Sequence, residues 1–311
     1  MIKDLIHQDG KAVKSSSFAL FSDSCMLPGL RVTLFSLIEN LDKENIPEFN
    51  LFYEGLSSRD IESLKTSLCV LGRPFRLNTY EFAPCIVSGF KTLHGNLMTY
   101  GRLFLSRLLP HHSKVTYLDC DLVVTGDLSE LDQFDLSGYP LAAVSKGTFR
   151  TALEWPVCQS LGYSLDAPYF NAGVLVLNLD CWRTEDLLGE CIDFATKHSK
   201  SLFTADQTIL NFVFYNNFAR LPERFNRELY PDSPLVGEIS SGVYHFAGSP
   251  KPFDPFGRYL HRNWELFNNY EQRIGFQEPF YTTFRDLRRL RRIAWIAKAS
   301  ARQALKQIRQ K

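Results

Sequence analysis

The apolar positions begin with a compact run, FALFS at 18–22, closed by Asp23 and a turn containing Pro28 and Gly29. From there Leu30, Leu34, Leu37, Ile38 and Leu41 recur at spacings of three and four, which predicts a helix with one buried face. FNLFYEG at 49–55 reads as a strand, SSRDIESLKTSL at 57–68 as a helix and FRLNTYEF at 75–82 as a further strand. Ser57 or Ser58 is the expected N-cap, because Ser57 and Asp60 stand at capping-box spacing. Alternation of strand and helix predicts a parallel sheet covered by helices.

Further along, TYGRLFLSRLLP at 99–110 predicts a helix stopped by Pro110, and KVTYLDCDLVV at 114–124 one strand interrupted by acids. YFNAGVLVLNL at 169–179 is a second buried strand. A helix is expected from about Thr204 through TADQTILNFVFYN, and a late strand in GVYHFAG at 242–248. No internal repeat and no low-complexity linker interrupts the pattern.

Composition narrows the class. A hydrophobic fraction of 45% in 311 residues is that of a soluble protein able to bury a large core. Seven cysteines form no CxxC pair and no zinc-type cluster with histidine, so they read as reduced thiols. The polar start, MIKDLIHQDGKAVKSSS, has no signal-peptide core, and no apolar run reaches the length of a membrane span. The net charge of +1 is unevenly shared: ten basic residues stand against Asp286 alone from Arg285 to Lys311, giving this end +9 and the rest −8.

Five constellations carry candidate chemistry. Asp119 and Asp121 in YLDCDLVV place two hard oxygen ligands where a divalent cation would relieve their repulsion; otherwise they cap a strand end. In HFAGSPKP, His245 offers a neutral nitrogen ligand, Gly248 lets backbone N–H groups approach an anion, and Lys251 adds a point charge; the same composition also suits a plain turn. Asn171, Ala172 and Gly173 put a polar amide and a glycine inside a buried strand, the mark of a close approach or of a bulge. Asp206 and Gln207 open a helix, where an acid also complements the dipole. Asp23 follows the first strand, a ligand-binding position in open α/β sheets and equally a helix-capping one.

With YLDCDLVV, YFNAGVLVLNLDCWR, ADQTILN and HFAGSPKPF in this order, the chain resembles the family 8 glycosyltransferases, particularly the bacterial lipopolysaccharide galactosyl- and glucosyltransferases, over roughly residues 18–255. The resemblance implies a GT-A fold: one nucleotide-binding α/β domain with a mixed, mostly parallel sheet flanked by helices, using a UDP-sugar with Mn²⁺, or Mg²⁺ in its place. Position by position, it makes Asp119, Asp121 and His245 metal ligands and places Asp23 at the uracil or ribose. Arg102, Asn171 and Ala172 fall beside the donor sugar, Asp206 and Gln207 beside the anomeric carbon, and Gly248 and Lys251 on the pyrophosphate. Gln207, an amide, is a poor nucleophile, which favours same-face attack by the acceptor with Asp206 as the alternative nucleophile. Departures are Cys25, where many relatives carry Asn, Lys146, where some carry an acid, and Phe253 in place of a frequent Trp.

The organisation expected on these grounds is a polar leader (1–17), a GT-A catalytic domain (18–255), an extension (256–284) and a basic tail (285–311). In the tail, Leu287, Leu290, Ala294, Ala297, Ala301, Leu305 and Ile308 recur at spacings of three and four among arginines, which reads as an amphipathic anchor on anionic lipid or, alternatively, as a solvated helix packing one face on the body. The anchor reading implies a cytoplasmic protein held at the inner face of the plasma membrane; the resemblance implies UDP-glucose or UDP-galactose as donor, and tail and resemblance together a glycan acceptor on a lipid carrier or lipopolysaccharide core. Nucleic acid is not an expected partner, given the acidic body. Rival readings are a sugar nucleotidyltransferase, disfavoured because FSDSCMLPG lacks a Gly-rich basic loop, and a non-catalytic UDP-sugar-binding protein.

Overall fold

A computed structural model describes residues 14–83, 90, 97–275, 297–298, 300–303 and 305. Strands β1 (Ser17–Asp23), β2 (Glu48–Glu54) and β3 (Arg76–Glu81) lie parallel, with α1 (Leu27–Asn40) and α2 (Ser58–Cys69) as their crossovers. Ser57 caps α2 through the expected box: its hydroxyl accepts from the Asp60 N–H, and the Asp60 carboxylate accepts from the Ser57 N–H. Pro28 and Gly29 lie inside the first turn of α1 rather than ahead of it, as suits a proline that needs no N–H partner there.

The predicted helix at 99–110 is instead a 3₁₀ segment, Met98–Phe104, running into a short α3 (Leu105–Leu108). Gly101 lowers the α-helical preference, and the Arg102 Nε takes the Thr99 carbonyl that an α-turn reserves for residue 103. The expected single strand at 114–124 is two, β4 (Lys114–Leu118) and β5 (Leu122–Val124), which belong to different sheets. The chain continues through α4 (Ser129–Asp132), β6 (Leu141–Thr148), α5 (Trp155–Ser160), β7 (Pro168–Asn178), α6 (Leu179–Thr184), α7 (Leu187–Lys197) and α8 (Asp206–Val213). It ends with β8 (Ala219–Arg220), β9 (Arg227–Glu228), β10 (Val243–His245), α9 (Gly257–Leu260) and α10 (Trp264–Ile274).

The larger sheet has seven strands in the order β3-β2-β1-β4-β7-β6-β8, parallel except where β7 runs against β4 and β6. This is the GT-A-like architecture. Alternate residues of β1 feed two cores, Phe18 and Leu20 on one face, Ala19 and Phe21 on the other, so a strand covered on both sides reads as continuously apolar. The first face is covered by α1, α2 and α10, the second by α6, α7 and α8.

The smaller sheet, β5-β10-β9, sits against α1. The outer edge of β5 is closed by side chains of that helix: Leu122 N donates to Thr33 Oγ1, Val124 N to Ser36 Oγ, and Asn40 Nδ2 donates to Val124 O. A bare strand edge is thereby covered without another strand. The extension contributes Leu266, Phe267, Tyr270 and Ile274 to the first core. Most of the amphipathic tail lies outside the described residues. Within it Ala297, Ala301 and Leu305 are exposed, whereas Ser300 and Gln303 are buried.

Candidate active site

The break between β4 and β5 builds the site. Asp119 stays with the larger sheet, its N–H donating to the Gly173 carbonyl of β7, while the Asp121 carbonyl accepts from Phe246 N beside β10 of the smaller one. His245, the last residue of β10, faces both acids: its Nε2 lies 3.3 Å from Asp121 Oδ1 and 3.7 Å from Asp119 Oδ2. Ligand atoms of the three residues all fall within 4.8 Å of one another. Two carboxylates and an imidazole suit Mn²⁺ or Mg²⁺, and adjacent ligands about 3 Å apart are what an ion with roughly 2.1 Å bonds requires. The residues present therefore fit a divalent cation.

Gly173 makes room for this convergence. A Cβ there would meet His245 Cε1 at 2.4 Å and Nδ1 at 2.6 Å, so the glycine inside the buried strand marks a close approach by the histidine ring. Gly248 has φ +72°, a left-handed conformation that turns the chain between His245 and Lys251. Lys251 Nζ then lies 2.5 Å from Asp121 Oδ2 and also donates to the Phe246 carbonyl.

A second network holds Asp119 from behind. Arg102 is buried, pairs with Asp119 Oδ1 at 3.0 Å and Asp206 Oδ2 at 2.8 Å, and donates to the Ala172 carbonyl. Its guanidinium carbon sits 4.2 Å above the Tyr117 ring, whose hydroxyl donates to Asp119. Asp206, in addition, accepts from the Thr99 hydroxyl. Gln207 is tied to the same strand, its Oε1 accepting from Ala172 N at 3.0 Å and its Nε2 reaching Tyr169 Oη at 3.4 Å.

Electrostatics follow from burial and neighbours. Burial raises the Asp206 carboxyl to about 6 despite the opposing pull of Arg102. Burial would also raise Asp121, but Lys251 and His245 outweigh it and hold the group well below the carboxylate range. For His245 burial lowers the pKa, and the carboxylates of Asp121 and Asp119 reverse the direction and raise it.

The structure thus joins Asp119, Asp121, His245 and Lys251 in one cluster, and Arg102, Ala172, Asp206 and Gln207 in an adjoining one. Asp23 stands at the end of β1 with its Oδ1 accepting from the N–H groups of Cys25 and Met26, which closes the turn ahead of α1; Met26, not Asp23, is the N-cap of that helix. Asn171 turns toward Asn226 and Glu228. Sequence reading missed Tyr117, Asn226, Glu228 and Glu154. Tyr117 carried a signal, being two residues before Asp119 on a strand and so on the same face. Glu154 is almost fully buried and accepts from the hydroxyls of Thr204 and Thr208 at 2.6 and 2.7 Å. Those bonds brace the backbone around Ala205, whose φ of +54° and ψ of −120° precede Asp206 directly. For a non-glycine residue that is a strained conformation.

Comparison with known proteins places this arrangement. The sequence model of the family described as Glycosyl transferase family 8 matches residues 18–254. A putative glycosyltransferase of Haemophilus influenzae is 30% identical over 66% of this chain and 61% of its own length. A lipopolysaccharide 1,2-glucosyltransferase of Escherichia coli is 24% identical over 83% of this chain and 80% of its own. The aligned part spans less than half of several streptococcal glycosyltransferases. Among solved structures, the galactosyltransferase LgtC, in complex with donor and acceptor sugar analogues, superposes with a TM-score of 0.70 at 23% identity, covering 85% of this chain and 98% of that one.

Proposed function

This chain belongs to glycosyl transferase family 8, and from that membership we propose that it moves a hexose, glucose or galactose, from a UDP-sugar to a saccharide acceptor with retention of configuration. The observation that carries the reading is the meeting of Asp119, Asp121 and His245 within 4.8 Å across two sheets. A divalent cation held by these three, Mn²⁺ by preference, supplies Lewis-acid stabilisation to the departing diphosphate.

The remaining work falls to the chain itself. Lys251, already beside Asp121, brings a positive charge to the same negative group, and the bend at Gly248 gives the kind of turn whose N–H groups gather an anion. Asp23, at the end of β1, serves the uracil or ribose. Arg102, Asn171 and Ala172 shape the donor-sugar pocket, Arg102 by holding Asp119 and Asp206 in fixed relation. Asp206 is 1% exposed and spends both oxygens on Thr99 and Arg102, which argues against its service as a nucleophile. Gln207 is half-buried with its carbonyl oxygen on Ala172, suited to positioning the anomeric centre. Attack by the acceptor hydroxyl from the face the diphosphate leaves accounts for retention, the leaving oxygen taking the proton.

The likeness to a lipopolysaccharide glucosyltransferase makes a cell-surface glycan on a lipid carrier the preferred acceptor class. Among the described residues no helix is long and apolar enough to cross a membrane. The basic tail, with Ala297, Ala301 and Leu305 exposed, supports peripheral attachment to the anionic cytoplasmic face. The test is UDP release from a panel of UDP-sugars with Mn²⁺, beside EDTA and an Asp119→Asn/Asp121→Asn variant. Metal-dependent release from one donor, absent in both controls, is expected. Failure of UDP to bind in the presence of Mn²⁺ would remove the reading.

A further inference from the structure

His245 has a support that none of the site chemistry above uses. Its Nδ1 lies 2.9 Å from Asn226 Oδ1, and Asn226 is 1% exposed. Asn226 Nδ2 donates to Asn171 Oδ1 at 2.9 Å, and Asn171 Nδ2 donates to Glu228 Oε1 at 2.7 Å. Amide and imidazole orientations are ordinarily ambiguous, since the exchange of N and O leaves the shape unchanged. Here both ends of the chain of bonds are fixed. The Gly173 backbone N–H can only donate, and it points at Asn171 Oδ1 from 2.8 Å. An ionised Glu228 carboxylate can only accept, and it already takes a bond from Tyr230 Oη at 3.0 Å.

The polarity then follows link by link. Asn171 must present its oxygen to Gly173 and its NH₂ to Glu228. Asn226 must therefore offer its NH₂ to Asn171, which leaves its oxygen for His245. The histidine must donate from Nδ1, so in the neutral ring Nε2 carries the lone pair, aimed between Asp119 and Asp121. Without a cation a lone pair facing two carboxylates is unfavourable, and with one it becomes the third ligand.

We propose that Asn226 and Glu228 are positioning residues that, through Asn171, lock His245 in the Nδ1–H tautomer needed to ligate a divalent cation. The inference rests on the metal-site reading of Asp119, Asp121 and His245. Register makes the chain compact, because Glu228 pairs directly with His245 across β9 and β10. Glu228→Gln tests the far end: of nearly equal size, it replaces a group that can only accept by one that can also donate, so that the Gly173 N–H alone still fixes the sense of Asn171 and of the bonds beyond it.

Two readouts test this on the full chain. The first is Mn²⁺ binding without nucleotide, followed by electron paramagnetic resonance of the free ion. Asn226→Leu should weaken it by about 10–100-fold, the range found when a group behind a histidine ligand is removed. Glu228→Gln should weaken it in the same direction by a smaller factor. The second is the ¹⁵N spectrum of the metal-free protein above the histidine titration range, with the His245 signals assigned by their loss in His245→Gln. The unaltered protein should show a protonated Nδ1 and a bare Nε2, and Asn226→Leu a loss of that preference. Should Asn226→Leu misfold, the tautomer of the unaltered protein decides alone. Mn²⁺ affinity unchanged in Asn226→Leu, or Nε2–H as the main form in the unaltered protein, would overturn the proposal. No Mn²⁺ binding by an unaltered protein that still shows Nδ1–H would instead remove the metal site, and the positioning role with it.

Discussion

Replacing Arg102 by Met leaves the shape of the side chain largely in place and removes its charge. The Arg102 side chain is 6% exposed and pairs with the side chains of Asp206, 2% exposed, at 2.8 Å, and of Asp119, 24% exposed, at 3.0 Å. The loss at Asp119 is small because water reaches it. At Asp206 the variant strands a buried carboxylate, and breaking a buried pair from one side costs about 3–5 kcal/mol. For a domain of this size that lowers the melting temperature by roughly 10 °C. Protonation limits the cost. The Asp206 carboxyl already sits at about 6, above its unfolded value, and without Arg102 it moves higher. A group whose folded pKa is raised in this way loses stability as pH climbs from the unfolded to the folded value. Calorimetry of the metal-free protein should therefore show a larger deficit at pH 8 than at pH 5.5. The double variant Arg102→Met/Asp206→Asn should recover more than half of it at pH 8. A melting point within about 2 °C of the unaltered protein, or a double variant no more stable than the single one, would refute the argument.

Three further outcomes follow from individual positions. Gly173→Ala places a Cβ 2.4 Å from the His245 ring and should weaken Mn²⁺ binding about tenfold or more while costing roughly 1–3 kcal/mol in urea unfolding; unaltered binding would count against the packing argument. Ala205→Gly should relieve the strain at φ +54° and raise stability by about 1 kcal/mol, and a loss of stability would show that the conformation carries no strain. His261 is 2% exposed against Phe246, and burial lowers it from 6.5 to about 4, with Leu229, Lys251 and Asp232 as its polar surroundings. A histidine depressed on folding withholds a proton that the unfolded chain binds, so its contribution is full above 6.5 and is lost as pH falls toward 4. His261 should account for a loss of about 2 kcal/mol from pH 7 to 5, read in urea titrations as the difference between the unaltered protein and His261→Phe; parallel pH profiles for the two would refute it.

Much of the architecture was legible because short apolar runs, caps and turn residues agreed with one another. Ser57 and Asp60 announced α2, and the doubly buried β1 read as continuously apolar. What was not legible depended on distant partners. Nothing local in KVTYLDCDLVV tells that Leu118 and Leu122 enter different sheets, because the second sheet is completed by residues 227–228 and 243–245. The 3₁₀ form of 98–104 likewise reflects Arg102 turning inward to acids from two other elements. The site was readable where chemistry is compressed into a motif, at Asp119, Asp121 and His245. It was opaque at Asn226 and Glu228, which lie in and beside a two-residue strand with no periodicity to betray it.

The division of Asp119, Asp121 and His245 between the β4–β5 break and a late strand also sets an order of events during synthesis. Asp121 and His245 are separated by more than a hundred residues, which at roughly 5–20 residues per second is a delay on the order of ten seconds between the emergence of the acids and that of the histidine. Throughout that interval α1 is already made, and its Thr33, Ser36 and Asn40 can occupy one edge of β5 before any strand arrives at the other. A nascent chain halted before residue 243 would hold Asp119 and Asp121 without His245 or Lys251, unable to complete the trio. The three side chains can therefore meet only once the last strand of the smaller sheet has emerged and paired with β5.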